Sequence, residues 1–163
     1  MEIKKLPVSE IMNRDVATVK LSTTLMQLIK LMQKTNQHMF PVVDDENNLL
    51  GIVNYRGMLN IFRPFSKSIS EIVERMPFVE KLADEDLNLN LSPEMGNLIL
   101  VDDIINTKFV AVKETNTIQE ARRLMRLHNV ELLPVISEKK LVGMLSLLDI
   151  FVYIFKEHDI IEK

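Results

Sequence analysis

Cysteine is absent from the 163 residues. That single gap excludes disulfides, thiolate metal sites and a cysteine nucleophile. Glycine occurs only four times, and neither a Gly-rich phosphate loop nor a dinucleotide fingerprint is present. No apolar run approaches the roughly 20 residues that a bilayer-spanning helix needs. The opening Met-Glu-Ile-Lys-Lys carries no apolar signal core, so export is not expected and a cytoplasmic location is. With a formal net charge of −3, the chain has no overall basic field to attract nucleic acid. His38, His128 and His158 lack metal-ligand spacing. Asp44-Asp45-Glu46 begins like a calcium loop, but the later oxygen ligands and the glycine do not follow, so it reads as a turn. Asp84-Glu85-Asp86 reads as an acidic surface run. No nucleophile, acid–base pair or metal cluster emerges, and an enzyme is not expected.

What is present is an internal repeat, which has to be settled before any other fold assignment. Pro41-Val42 and Pro134-Val135 lie 93 residues apart. The same offset pairs Val8 with Val101, Ile11 with Ile104, Asn13 with Asn106 and Val19 with Val112. It also pairs Thr24 with Thr117, Leu31-Met32 with Leu124-Met125, and Asn36 with Asn129. After one deleted residue, Gly51 falls on Gly143. Hydrophobic residues at 47% and charged residues at 26% suit a globular protein built from two such copies.

Each copy reads as strand, helix, strand, strand, helix, a mixed α/β unit. First strands are expected near Ala17–Lys20 and Phe109–Lys113, where Val and Thr favour extended chain. Ser22-Thr23-Thr24 and Thr115-Asn116-Thr117 offer hydroxyls to cap the helices that follow. Leu25, Leu28, Ile29 and Met32 form one apolar helical face, as Ile118, Ala121, Leu124 and Met125 do in copy two, with Arg122 in the place of Ile29. Hairpins are expected at Phe40–Val43/Leu49–Val53 and Leu132–Ile136/Leu141–Leu145. Closing helices follow at Met58–Phe62 and Asp149–Lys156. Residues 1–62 and 101–163 hold the repeats, and 63–100 form an ordered connection. In that connection Ile69, Ile72, Val73 and Met76 have helical spacing up to Pro77, and Leu87, Leu89 and Leu91 alternate with Asn.

Each copy resembles the CBS motif, and the tandem resembles a Bateman module. The likeness is carried by Ile11-Met12-Asn13-Arg14-Asp15-Val16, Leu31-Met32, Pro41-Val42-Val43 and the glycine-led third strand. It covers about residues 8–62 and 101–155. The resemblance implies two copies packed about a pseudo-two-fold axis, with two clefts that take adenosine-containing ligands such as AMP, ADP, ATP or S-adenosylmethionine. It also implies frequent dimerisation through helices. The ribose and phosphate signature of the family is Gly, two apolar residues, Ser or Thr, two residues, then Asp. Copy two meets it with Gly143, Ser146 and Asp149. A carboxylate can accept from both ribose hydroxyls, and a hydroxyl at a helix start can face a phosphate. Asp149 can equally serve as a helix N-cap.

By the same resemblance, copy one supplies the adenine side: Met12, Asp15 and Ala17 near the first strand, then Gln37, His38, Met39 and Phe40 before Pro41. Met39 and Phe40 should alternate, one in the core and one in the cleft. Copy one departs from the signature, with Asn54 for Ser/Thr and Gly57 for Asp. Its own cleft, walled by Val110, Val130 and Glu131, should be empty, weak or repurposed, and Arg56 should be a solvated side chain. The final helix, apolar nearly all round from Ile150 to Phe155, predicts a homodimer contact. The function expected is a regulatory module that binds an adenosyl effector, needs no further cofactor, and signals to a partner protein or attached domain. The alternative is a ligand-free dimerisation module.

Overall fold

Two of the helix starts are written into the chain as Thr-x-x-Gln and Thr-x-x-Glu, and both close as reciprocal caps. In the computed structural model, which describes residues 3–35, 37–55, 57–58 and 95–162, Thr24 precedes α1 (Leu25–Thr35). Its hydroxyl accepts from the Gln27 amide at 3.2 Å, and Gln27 Oε1 accepts from the Thr24 amide at 2.9 Å. Thr117 precedes α2 (Ile118–His128) and makes the same pair with Glu120, at 3.3 and 2.7 Å. Each box satisfies two amides that a bare helix end leaves open. The Thr117 amide, then the Asn116 side chain and the Thr117 hydroxyl, hold the Glu120 carboxyl below the usual carboxylate range. Asn129 ends α2 in the left-handed conformation (φ 51°), and Val130 N–H donates back to Met125 O at 2.9 Å, which satisfies carbonyls of the last turn.

Leu25 and Leu28 are the buried residues of α1, and Ile118, Ala121 and Met125 those of α2. Ile29, expected on the apolar face, is 40% exposed. Its position lies at the edge of the buried stripe, which is why copy two accommodates Arg122 there.

After α1, β1 (Met39–Val43) pairs antiparallel with β2 (Leu49–Asn54), with Phe40 opposite Val53. In copy two, β3 (Val112–Lys113) runs parallel to β4 (Leu132–Ser137), which pairs antiparallel with β5 (Lys140–Ser146). The copy-one counterpart of β3 is a single parallel bridge from Val19 to Val42. Asp44-Asp45-Glu46 forms the β1–β2 turn. Asp44 Oδ1 accepts from the Glu46 and Asn48 amides and Oδ2 from the Asn48 side chain. The Asn48 side chain, ahead of its amide, holds the Asp44 carboxyl below its ordinary value. The two hairpin turns also bond each other: Leu49 N–H donates to Lys139 O at 2.9 Å and Leu141 N–H to Asn47 O at 3.0 Å.

The cores do not follow chain order. Leu6, Val8 and Met12 pack with Val112, Ile118, Ala121, Met125, Leu133 and Leu145 of copy two. Val101 and Ile104 pack with Val19, Leu25, Leu28, Phe40 and Val53 of copy one. The backbone repeats this exchange with two-fold regularity. Val8 N–H donates to Asn116 O and Val101 N–H to Thr23 O, both at 2.8 Å. Asn13 and Met144 exchange both backbone bonds at 2.9 Å, and Asn106 and Ile52 do so at 2.9 and 3.1 Å. Each leading segment therefore completes the other copy's core. Fully burying a valine contributes about 2 kcal/mol, so each copy is stabilised by residues that belong to the other copy in sequence.

α3 (Leu147–Glu157) follows β5 directly. It begins two residues before the Asp149 start expected from the sequence, because Ser146 and not Asp149 is the N-cap residue. In copy one, Tyr55, Gly57 and Met58 are helical. The rest of that expected helix, the helical spacing of Ile69–Met76, the Leu87–Leu91 alternation and Arg56 lie outside the described residues. The end of the connection packs on copy one: Met95–Leu98 forms a helical turn, Leu100 bridges Thr24, and Ile99 O accepts from Leu25 N–H.

Candidate functional site

Strands β1 and β4 begin, and β2 and β5 end, at one edge of the paired sheets, and a groove of about 1200 Å³ opens there. Copy one lines it with Gln37, His38, Met39, Asn54 and Tyr55. Copy two lines it with Asn129, Val130, Glu131, Leu132 and the start of α3 at Ser146, Leu147 and Leu148. The groove continues between α2, which contributes Arg122 and Arg126, and α3, which contributes Ile150 and Ile154. The His38 and Tyr55 rings meet edge-on, their centroids 6.5 Å apart.

At the copy-two helix start, Ser146 Oγ accepts from the Asp149 amide at 3.0 Å and donates to Asp149 Oδ2 at 2.6 Å. Oδ2 also accepts from the Ser146 amide at 2.7 Å. The carboxylate and hydroxyl are thus closed on each other in a capping box. Among the described residues, no hydrogen bond reaches Oδ1. Copy one keeps half of this device. Asn54 Oδ1 accepts from the Gly57 amide at 3.0 Å, but nothing at position 57 can answer. A Cβ on Gly57 would lie 3.3 Å from Ile104 O, closer than an ordinary contact. The exchanged backbone therefore crowds the place where copy two has its carboxylate.

A third polar device spans copy one. The Gln37 side-chain amide donates from one nitrogen to Ala17 O at 3.1 Å and to Met39 O at 2.7 Å. It joins the segment just before Val19 to the start of β1.

Of the residues singled out from the sequence, Gln37, His38, Met39 and Ser146 line the groove together. Asp149 is half-buried immediately behind Ser146. Ala17 is half-buried, with its carbonyl taken by Gln37. Asp15 is exposed, and its amide is bonded to the Asn13 side chain at 3.0 Å. Met12 and Phe40 are core side chains, and of the pair Met39/Phe40 it is Met39 that reaches the groove. Gly143 is buried against the exchanged segment: a Cβ there would sit 2.6 Å from Asn13 O. Val130 and Glu131, expected to wall the separate copy-one cleft, line this same groove, as does Asn54, so the residues of the two expected clefts open into one space here; Val110 packs at the edge of the copy-two core. The sequence reading did not foresee Arg122 and Arg126 as groove residues. Their i, i+4 spacing on the polar face of α2 was the available signal. Among the described residues no cluster of His, Asp or Glu is arranged to hold a metal ion, and no helix is long and apolar enough to cross a membrane.

Two mixed α/β copies, exchanging their leading segments and sharing one groove, define a tandem pair module. The chain belongs to the CBS domain family, which matches residues 8–63 and 101–156. A CBS domain-containing protein of Dictyostelium discoideum is 28% identical over 153 residues, covering 93% of each chain. The crystal structure of CBSX2 in complex with AMP superposes with a TM-score of 0.68 at 18% identity, over 93% of this chain and 98% of that one. The CBS domain pair of protein MJ0100, in complex with 5′-methylthioadenosine and S-adenosyl-L-methionine, gives a TM-score of 0.65 at 16% identity, over 93% and 98%.

Proposed function

We propose that this chain is a non-catalytic regulatory module whose groove binds an adenosine-containing effector: AMP, ADP, ATP or S-adenosylmethionine. The observation that carries the reading is the Ser146–Asp149 pair at the start of α3: Ser146 lines a groove built from both copies, and Asp149, half-buried and bonded to it, stands one step behind that wall. Two proteins of the same fold hold AMP and methylthioadenosine or S-adenosylmethionine, which supports the ligand class. The ribose would engage Asp149, the phosphate would face Ser146, and the adenine would lie towards Gln37–Met39. Met12, Ala17, Phe40 and Gly143 would support that pocket from behind, and Asp15 would reach it from the surface. Because both copies line the groove, a bound ligand would bias their relative angle, as far as its affinity differs between the two arrangements. A partner protein or an attached domain in the cytoplasm would read that change.

Thermal melts test this directly. A ligand at about 100 times its Kd stabilises the fold by about 2.7 kcal/mol, a rise in Tm of about 5–10 °C for a chain of this size. AMP, ATP or S-adenosylmethionine should give such a rise. A flat response across all of them favours the ligand-free alternative.

The reading includes a homodimer through α3. Leu148, Phe151, Val152 and Phe155 recur at i, i+3, i+4 and i+7 and remain exposed, Leu148 at 68% and Phe151 at 55%. An apolar stripe of this length marks an interaction surface. Phe151→Asp should convert a dimer to a monomer in sedimentation. Wild-type protein that sediments as a monomer ends the idea.

A further inference from the structure

We propose that Gln37 is an internal competitor for the amino group of the bound purine, and so sets both the affinity and the base selectivity of the Asp149 cleft. This rests on the reading that the cleft takes an adenosyl ligand. One side-chain nitrogen holds two backbone carbonyls from different segments, Ala17 O at 3.1 Å and Met39 O at 2.7 Å. Two carbonyls converging on one point form a receptor for an –NH₂ group with both hydrogens directed. The exocyclic amine of adenine has that form, and the carboxamide of Gln37 occupies the place with the same donor pattern. Gln37 and Met39 both line the groove, and the Ala17 carbonyl lies behind the Gln37 amide that bonds it.

The arrangement belongs to one copy only. Val130 stands at the position corresponding to Gln37 and has no polar side-chain atom. Copy two therefore has no such plug, and the plugged carbonyls are those of the copy assigned to the adenine. An amine-bearing base has to break both Gln37 bonds to reach the carbonyls. A 6-oxo base presents no donor there, so Gln37 stays in place.

Calorimetry of AMP and IMP binding to wild type, Gln37→Val and Gln37→Glu tests this. The Val variant installs the copy-two residue, and the Glu variant keeps the length but has no donor. Melting curves confirm that each is folded, and either folded variant suffices. Removing the competitor should tighten AMP binding about tenfold, while IMP moves less than twofold; tenfold corresponds to about 1.4 kcal/mol. AMP affinity equal to or below that of wild type in a folded variant overturns the proposal, as does equal tightening for IMP. Asp149→Ala in the same series separates the two readings. If it weakens AMP and the Gln37 variants do not tighten it, only the competitor falls. If Asp149→Ala and the Gln37 variants all leave AMP unchanged, the cleft assignment falls with it.

Discussion

Gly143→Ala is expected to destabilise the fold by about 3 kcal/mol, at the upper end of what overpacking costs. The reason is backbone, not side chain. A Cβ on Gly143 would stand 2.6 Å from Asn13 O and 3.1 Å from Met12 Sδ. The methionine could turn aside, but the carbonyl could not. Asn13 O accepts from Met144 N–H, and Asn13 N–H donates to Met144 O, both at 2.9 Å. Moving that strand breaks the pair and withdraws Val8 and Met12 from the copy-two core. Gly51 sits in the same relation to Ile105 and Asn106, at 2.6 and 2.8 Å, and Gly51→Ala should behave alike. Gly96→Ala is the control. Its nearest neighbour would be the flexible tip of Met26 at 3.3 Å, and alanine favours a helical turn over glycine by up to about 1 kcal/mol. Urea unfolding with an unchanged m-value reads the difference. A Gly143→Ala protein within about 0.5 kcal/mol of wild type, the range of neutral surface changes, would show that the exchanged strand is not held as described.

Asp149→Ala is expected to weaken AMP binding about a hundredfold. Two hydrogen bonds from ribose hydroxyls to one carboxylate are charge-assisted, each worth about 1.5–3 kcal/mol. Losing them removes two or more decades of affinity. The same substitution also opens the α3 cap, which costs about 1 kcal/mol of stability, so stability and affinity have to be read separately. Asp149→Asn separates them. It keeps an acceptor for the Ser146 amide, now bonded at 2.7 Å, but loses the charge that the diol would meet. The cap should largely survive in this variant while AMP affinity drops at least tenfold, about 1.4 kcal/mol. Stability lost with affinity intact, in both variants, would reduce Asp149 to a helix cap. Gly57→Asp, the reverse experiment in copy one, meets a tight contact: its Cβ would approach Ile104 O at 3.3 Å. A carboxylate placed there needs that carbonyl to yield by a few tenths of an ångström.

Much of this was legible in the chain because it rests on local rules. Capping depends on residues three apart, so Thr117–Glu120 could be read as a helix start without knowing what α2 packs on. The strand–helix order of each copy follows from period and turn chemistry. Asp44 in its turn needs only its neighbours Glu46 and Asn48. Other features depended on which surface faced which. Alternation states that one of Met39 and Phe40 points inward. Only the sheet packing made it Phe40, which has no exposed surface. Helical spacing admitted Ile29 to the apolar face of α1, but the buried stripe stops short of it. The resemblance set Gln37 on the adenine side, but its hold on two backbone carbonyls appears only once its amide is seen to reach Ala17 and Met39.

The sequence by itself determined that there are two copies, that each holds a helix followed by a hairpin, and that only the second keeps a hydroxyl and a carboxylate at its last helix. Tertiary structure alone decided that Val8 serves the second core and Val101 the first. Both segments share the spacing of Val, Ile and Asn (Val8, Ile11, Asn13; Val101, Ile104, Asn106), so no local preference separates staying from exchanging. The exchange shows in the backbone pairs Asn13–Met144 and Asn106–Ile52; Gly143 and Gly51 give either leading segment room to approach, so they permit the contact without choosing the partner.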